Sequence, residues 1–217
     1  MTADAENGWD ILYQIQEAGL QHWGFTLYRT DYNPDNEERW ARLLQQIQQL
    51  SFEEIFGKPF GTAMPKKPSP ASQIRQELWD AFKTDVRSDE AVYNGMDLDA
   101  LRAMHKEDIQ NEGVLLDEHG EEDRYRLHQF YVFLVADEEV LTKGLDNGWM
   151  KAVDARYEAK DFNGNPRMPQ FWWGWMKMKI GVSYNLWVGI EVHDEVCDMA
   201  PKTTTGVQDE VFDGSDF

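Results

Sequence analysis

Residues 22–32, His-Trp-Gly-Phe-Thr-Leu-Tyr-Arg-Thr-Asp-Tyr, place the strongest constraint on how this chain folds. Their alternation predicts a β-strand with Trp23, Phe25 and Leu27 on one face. Continued along the strand, that face reaches Arg29 and then Asp31. A charge next to an apolar core must be paired or solvated. This strand end therefore predicts either a salt-bridge network or one corner of a binding pocket.

Helical periodicity predicts several helices around this strand. One covers residues 9–20, and another follows Asn33-Pro34 with the stripe Trp40, Leu43, Leu44, Ile47 and Leu50. Ser51 and Glu54 have capping-box spacing, which predicts a separate short helix that ends near Phe56. Prolines within residues 57–70 exclude regular structure there, and further helices are predicted from Ser69-Pro70 and around Leu98, Leu101 and Ile109.

Three later segments have strand character. Residues 125–136 end in a continuous apolar run that is typical of a strand buried on both faces. Residues 149–157 and 172–180 alternate between apolar and polar side chains. Residues 183–196 fit a strand and a helix equally well, so both interpretations stay open.

The order of elements predicts an α+β domain over residues 1–201. We expect a mostly antiparallel sheet of about four strands with helices on one face, arranged in a ferredoxin-like or α+β-barrel-like way. Residues 57–123 form a helical insertion that ends in an acidic loop. Residues 202–217 form an acidic tail that we expect to be disordered.

The net charge of −19 for 217 residues disfavours DNA, RNA and anionic membrane surfaces as partners. Cys197 is the single cysteine, so no intrachain disulfide can form and a reducing compartment is expected. The polar N-terminus does not resemble a signal peptide, and no apolar run is long enough to cross a bilayer. We therefore predict a soluble, cytoplasmic protein.

Four segments together carry a resemblance to a known group of proteins. They are Trp-Gly-Phe-Thr-Leu-Tyr-Arg-Thr-Asp-Tyr (23–32), Phe-Leu-Val-Ala-Asp-Glu-Glu-Val-Leu (133–141), Val-Asp-Ala-Arg-Tyr (153–157) and Gly-Trp-Met-Lys-Met-Lys (174–179). In this order they resemble a large group of proteins from filamentous fungi that has no settled activity. The resemblance implies a fungal origin and a shared fold, without implying a reaction.

Charged residues on the predicted strands form the first candidate site. Asp154 and Arg156 share one face of their strand, and Lys177 projects from the next. If these strands share a sheet with Arg29, the four side chains and Asp31 can meet at a rim and bind a carboxylate or phosphate. An ordinary ion-pair network at strand ends is the alternative.

Aromatic residues suggest walls for such a pocket. Phe171, Trp172, Trp173, Trp175, Tyr184 and Trp187 are dense enough to line an apolar or cationic ligand site, or to fill a core. The predicted ligand-binding residues are Trp23, Tyr28, Tyr157, Trp173 and Trp175.

Histidines and cysteine supply few further candidates. His128 precedes the most apolar strand and is the preferred acid–base residue, with a hydrogen-bonded structural histidine as the alternative. His193 and Cys197 have helical spacing, but two ligands do not make a zinc site, and no metal is expected. The sequence also lacks a glycine-rich phosphate loop, a dinucleotide fingerprint and a Gly-x-Ser-x-Gly elbow, so no cofactor is predicted.

Three functions remain open from the sequence. The first is a cofactor-independent small-molecule enzyme of fungal secondary metabolism, of the cyclase, isomerase or condensation type. The second is a non-catalytic interaction or regulatory module that binds a protein partner or forms a homodimer. A tRNA-dependent condensing enzyme ranks last, because the net charge of −19 opposes RNA binding.

Overall fold

The computed structural model describes residues 3–62, 68–112, 128–162, 172–193, 196–200 and 210–214. In chain order its elements are α1 (Ala3–Glu17), β1 (Thr26–Arg29), α2 (Glu37–Phe56), α3 (Pro70–Ala81), β2 (Asp85–Arg87), α4 (Glu90–Tyr93), α5 (Leu98–Glu112), β3 (Val132–Ala136), α6 (Leu145–Asn147), β4 (Trp149–Asp154), α7 (Ala159–Phe162), β5 (Trp175–Lys179), α8 (Ser183–His193), α9 (Val196–Met199) and β6 (Val211–Phe212). Short 3-10 turns cover Pro34–Asn36 and His128–Tyr131, and a π-helical turn covers Val140–Gly144.

One mixed sheet organises the described residues, with the strand order β2-β1-β3-β4-β5-β6. β1 is parallel to β2 and β3, β4 is antiparallel to β3 and β5, and β6 is parallel to β5. The α+β class is confirmed, but the prediction of about four mostly antiparallel strands is wrong. β2 and β6 span only three and two residues, which is too short for an alternating pattern to reveal them. The ferredoxin-like and α+β-barrel-like arrangements do not describe this sheet either.

Helices cover both faces of the sheet, so the prediction of helices on one face is wrong. Leu27, Leu134, Ala152 and Met176 are in register on the first face and pack against α1, α2, α3 and α8. The second face carries a separate apolar cluster that includes residues of α4 and α5. Its buried members are Tyr28, Tyr93, Leu101, Phe133, Val135, Val153 and Ala155. The segment predicted as an insertion thus supplies both an edge strand and the second layer of helices.

The structure differs from several local expectations about the helices. α2 continues through Ser51, so the separate helix predicted there does not exist. Ser51 is fully buried and caps nothing, and Glu54 accepts the backbone N–H groups of Tyr184 and Asn185 at 2.9 and 3.0 Å. Glu54 therefore caps the start of α8 instead of pairing with Ser51. The strand alternative for residues 183–196 is wrong, since residues 183–193 are helical.

Strand lengths also differ from expectation. The predicted strand at residues 125–136 is limited to Val132–Ala136, with residues 125–127 outside the described part. Residues 113–123 of the acidic loop lie outside it as well, while residues 107–112 belong to α5. In the tail, Val211 and Phe212 pair with β5 and Phe212 is buried, where disorder was expected. Residues 202–209 and 215–217 lie outside the described residues.

Arg102 attaches α5 to the end of β4 and to the residues that precede β5. Its guanidinium donates to the carbonyl oxygens of Asp154 at 3.1 Å, Gly174 at 3.0 Å and Trp173 at 3.3 Å. It also pairs with Asp99 at 2.6 Å and lies over the Tyr157 ring at 4.9 Å. The buried Arg102 guanidinium thus donates to three backbone carbonyl groups, one at the end of β4 and two just before β5.

We expect Arg102→Met to lower the free energy of unfolding by about 3 kcal/mol, because buried carbonyl groups lose their donor. Arg42→Met is a matched control, since Arg42 pairs with Asp146 at 2.6 Å on the surface, where both side chains are 47% exposed. Breaking that exposed pair should cost less than about 1 kcal/mol. Urea denaturation of both variants measures the two costs. Equal costs would show that Arg102 does not hold α5 to the sheet.

Candidate functional site

Arg29, the charged end of the opening strand, is 5% exposed and is paired locally. Its guanidinium donates to the Glu37 carboxylate at 2.7 Å and to the Asp31 carbonyl at 2.8 Å. It also lies over the rings of Tyr32 at 4.6 Å and Trp40 at 5.3 Å. Arg29 therefore joins the end of β1 to the start of α2.

The register of the sheet separates Arg29 from Asp154. Arg29 pairs with Ala136, the last residue of β3, whereas Asp154 pairs with Val132, the first. Four residues of strand span about 13 Å. Asp154 instead accepts the backbone N–H of Arg156 at 2.8 Å and lies 3.6 Å from its guanidinium. The structure brings Asp154 and Arg156 together and keeps both away from Arg29.

Lys177 belongs to a third group of side chains on the second face of the sheet. It is in register with Lys151, and its ammonium lies 4.8 Å from the Trp149 ring centroid. Lys151 is buried, contacts the Trp175 ring at 5.0 Å and pairs with Asp137 at 2.6 Å and Glu139 at 2.8 Å. The five charged residues of the predicted cluster thus lie in three separate local networks.

Some of the remaining predicted residues make structural contacts, and others line a cavity. The carbonyl of Trp173 accepts from Arg102, and the Tyr157 ring stacks on Phe162 at 5.4 Å. His128 begins a 3-10 turn, but its side chain lies outside the described residues, as does Phe171. Trp23 and Tyr28, in contrast, both line a cavity.

This cavity, of about 350 Å³, lies between β1, β2 and α5. By strand alternation its floor consists of Gly24, Thr26 and Tyr28 from the β1 segment beside Lys83, Asp85 and Arg87 from the β2 segment. α5 contributes His105, Asp108 and Ile109, and the turn before β3 contributes Gln129 and Phe130. The volume is suited to a small organic molecule.

Tyr28 and His105 form a buried hydrogen-bonded pair at the inner end of the cavity. The Tyr28 hydroxyl lies 3.0 Å from His105 Nδ1, and His105 Nε2 lies 2.7 Å from the Phe130 carbonyl oxygen. A carbonyl can only accept, so we assign the imidazole proton to Nε2 and the lone pair to Nδ1. Tyr28 then donates to His105, and the lone pairs of its oxygen remain for another donor.

The electrostatics keep this pair uncharged at neutral pH. Burial lowers the pKa of His105 to about 4, although the Phe130 carbonyl and the Asp108 carboxylate act in the opposite direction. Burial, followed by the Asp108 carboxylate, raises the pKa of the Tyr28 phenol well above its ordinary value. Asp108 Oδ2 lies 3.5 Å from the Tyr28 oxygen. The negative charge of Asp108 also favours a proton on His105, in opposition to the effect of burial.

Sequence reasoning did not select His105, Asp108, Asp85 or Arg87 as site residues. The signal for His105 was present, because it lies midway between Leu101 and Ile109 on the apolar stripe of α5. A histidine on a buried helical stripe must be hydrogen-bonded or functional. The contribution of Asp85 and Arg87 depends on β2, whose three residues give no sequence pattern.

The described residues contain no group of three or more His, Cys, Asp or Glu side chains arranged to hold a metal ion. Among their helices, none combines the length and apolar character that crossing a bilayer requires.

Comparison of the chain with protein-family models, curated proteins and solved structures gave no match. The resemblance to the filamentous-fungal group stays a prediction.

Proposed function

We propose that this protein is a small-molecule enzyme that transfers a proton on its substrate without a redox cofactor. The observation that supports this most directly is the Tyr28–His105 pair at the inner end of a cavity of about 350 Å³. The neutral imidazole of His105 can only accept through Nδ1, so it can take the Tyr28 proton. The Tyr28 oxygen can then take up a proton from the substrate. Proton transfer of this kind is the chemistry of isomerases, cyclases and condensing enzymes, and the proposed enzyme is of that class.

The proposed proton transfer uses two residues in series. A substrate C–H beside a carbonyl gives its proton to the Tyr28 oxygen, while the Tyr28 proton passes to His105 Nδ1. The resulting imidazolium lies near Asp108, whose charge favours the protonated ring. His105 then returns a proton to the Tyr28 oxygen as Tyr28 protonates another substrate atom, which regenerates the neutral pair. General acid–base catalysis of this kind contributes roughly 10²–10⁴-fold to a rate.

Other polar groups of the cavity complement this transfer. Enolisation places negative charge on the substrate oxygen, and Thr26 and Arg87 line the cavity beside Tyr28. The Thr26 hydroxyl is a donor that suits an oxygen that gains charge, whereas Arg87 is already paired with Asp85 at 2.7 Å. Ile109 and Phe130 provide apolar surface for the wall.

Hydrogen–deuterium exchange tests the proposal without knowledge of the natural substrate. Phenylpyruvate, 1-phenylpropan-2-one and related carbonyl compounds are incubated with protein in D₂O, and the loss of C–H signals is followed by proton NMR. We expect wild-type protein to accelerate the exchange of at least one of these carbonyl compounds. Tyr28→Phe, which keeps the ring but lacks the oxygen, should lose about 100-fold of that acceleration.

Tyr13→Phe is the matched control, because Tyr13 is 60% exposed on α1 and does not line the cavity. It should exchange like wild type. The absence of accelerated exchange across the panel, or equal rates for Tyr28→Phe and wild type, contradicts the proposed function.

A non-catalytic interaction module is the second candidate function. The observation in its favour is the pair Trp9 and Tyr13, one helical turn apart on α1 and 52% and 60% exposed. Exposed aromatic side chains at this spacing suit a protein interface. Light scattering over a range of concentrations tests self-association, and a constant monomer mass counts against the homodimer.

A further inference from the structure

We infer that the ligand of the cavity is a small organic acid whose carboxylate lies between His22 and Lys83 at the outer end. This inference rests on the proposed function, because it names the class of substrate for the same site. The β2 side of the cavity floor carries a row of three charged side chains. Lys83, Asp85 and Arg87 alternate onto one face, so cation, anion and cation follow one another.

The inner two members of this row neutralise each other. Arg87 Nε lies 2.7 Å from Asp85 Oδ2, in an ion pair whose side chains are 36% and 44% exposed. In the part of the chain that the structure describes, Lys83 has no carboxylate within 4 Å. Its ammonium is therefore the cation of the cavity that remains for an anionic ligand. His22 lines the same end and can donate a second hydrogen bond.

The floor sets the distance between the two ends of the ligand. The Lys83 backbone N–H donates to the Trp23 carbonyl at 2.9 Å, which places Lys83 beside Gly24. Gly24 and Tyr28 are four residues apart, or about 13 Å of extended strand. Gly24 has no side chain and the Thr26 side chain is small, so a ligand can lie along this stretch of the floor. Ile109 and Phe130 provide apolar surface for the middle of the ligand.

The ligand class follows from these three parts. It has a carboxylate at one end, an apolar or aromatic body, and at the other end an acidic proton that faces the Tyr28 oxygen. Amino-group ligands fit less well, because an ammonium at the outer end would face Lys83. Arylalkyl carboxylates with a hydroxyl or carbonyl group at the far end satisfy all three requirements.

Equilibrium binding of an unreactive pair of compounds tests this inference. The probes are 3-(4-hydroxyphenyl)propanoate and its neutral amide, titrated into wild-type protein and followed by calorimetry or ligand-observed NMR. We expect the acid to bind about 10-fold more tightly than the amide. Lys83→Met should reduce the affinity for the acid to that of the amide and leave the amide unaffected. His22→Asn should reduce the affinity for the acid less than Lys83→Met.

Lys160→Met serves as the matched control, since Lys160 is 74% exposed and pairs with Glu158 on the surface. It should bind both probes like wild type. Equal affinity of acid and amide, no binding of the acid, or no effect of Lys83→Met overturns the inference. Because binding is measured without turnover, preference for the acid without catalysed exchange contradicts only the proposed enzyme. Catalysed exchange without preference for the acid contradicts only the carboxylate site.

Discussion

Gly24→Ala is expected to lower the free energy of unfolding by about 4 kcal/mol or more. Gly24 has a φ of +124°, where residues with a side chain are strained. A Cβ at this position would lie 2.2 Å from the Lys83 carbonyl oxygen. That oxygen is held by backbone pairing, since Trp23 donates to Ala81 at 3.0 Å and Lys83 donates to Trp23 at 2.9 Å. Relief would require separating the two segments that form the cavity floor.

Gly19→Ala is the control for the conformational part of this cost. Gly19 also has a positive φ, +70°, but a Cβ there would meet no atom within 4 Å. Its replacement should cost about 1–2 kcal/mol, the ordinary cost of a left-handed residue. Urea or thermal unfolding of both variants gives the comparison. If Gly24→Ala costs no more than Gly19→Ala, the close approach of the two segments is not a feature of the folded protein.

His105→Gln is expected to remove about 100-fold or more of the catalysed exchange rate at neutral pH. Glutamine can accept from Tyr28 through its carbonyl and donate to Phe130 through its amide, so both hydrogen bonds of His105 can be retained. It cannot take up a proton at neutral pH. The variant therefore separates the chemistry of His105 from its structural contacts, and exchange in D₂O followed by NMR measures the loss. An unchanged rate would show that His105 has no part in proton transfer.

The same variant reports the burial of His105 through the pH dependence of stability. The pKa of His105 is about 4 in the folded state and about 6.5 when unfolded, so between these values the unfolded chain binds more protons. Wild-type stability should therefore fall as pH decreases from 6.5 to 4, relative to His105→Gln. The full difference is about 3 kcal/mol, at about 1.4 kcal/mol per pKa unit. Parallel stability curves for the two proteins would contradict this burial.

Residues 22–32 show which features of the fold are local enough to predict. Trp23, Phe25 and Leu27 are all buried in the same apolar cluster, as their alternation predicts. The pairing of Arg29 with Glu37, eight residues later, was not predicted, because candidate partners were sought only on other strands. The predicted salt-bridge alternative describes Arg29 correctly, although with a different partner.

The sheet itself depends on information that a single sequence does not contain. Whether Asp154 faces the first or the last residue of β3 is a matter of register, and the register decides whether Asp154 and Arg29 meet. The parallel pairing of β1 with both β2 and β3 brings together segments that are more than 50 residues apart. Hydrophobic patterning identifies β1, β3, β4 and β5 as strands but does not order them.

The candidate site was predicted only in part for the same reason. Trp23 and Tyr28 were selected because they belong to the opening strand, and both line the cavity. His128 was preferred to His105 because of its position before an apolar strand. The burial of His105, at 4% exposure, and its contact with Tyr28 across 77 residues become evident only in the folded chain.

A pH titration of the His105 ring nitrogens by ¹⁵N NMR, with His105→Gln used for assignment, shows whether His105 is neutral and able to accept the Tyr28 proton. A buried, neutral imidazole that accepts from Tyr28 should show the Nε2-protonated tautomer throughout the neutral range. Its apparent pKa should lie near 4. A midpoint near the ordinary value of 6.5 would contradict the burial of this ring. A proton on Nδ1 in the neutral ring would contradict the proposed transfer, because Tyr28 could then not pass its proton to His105.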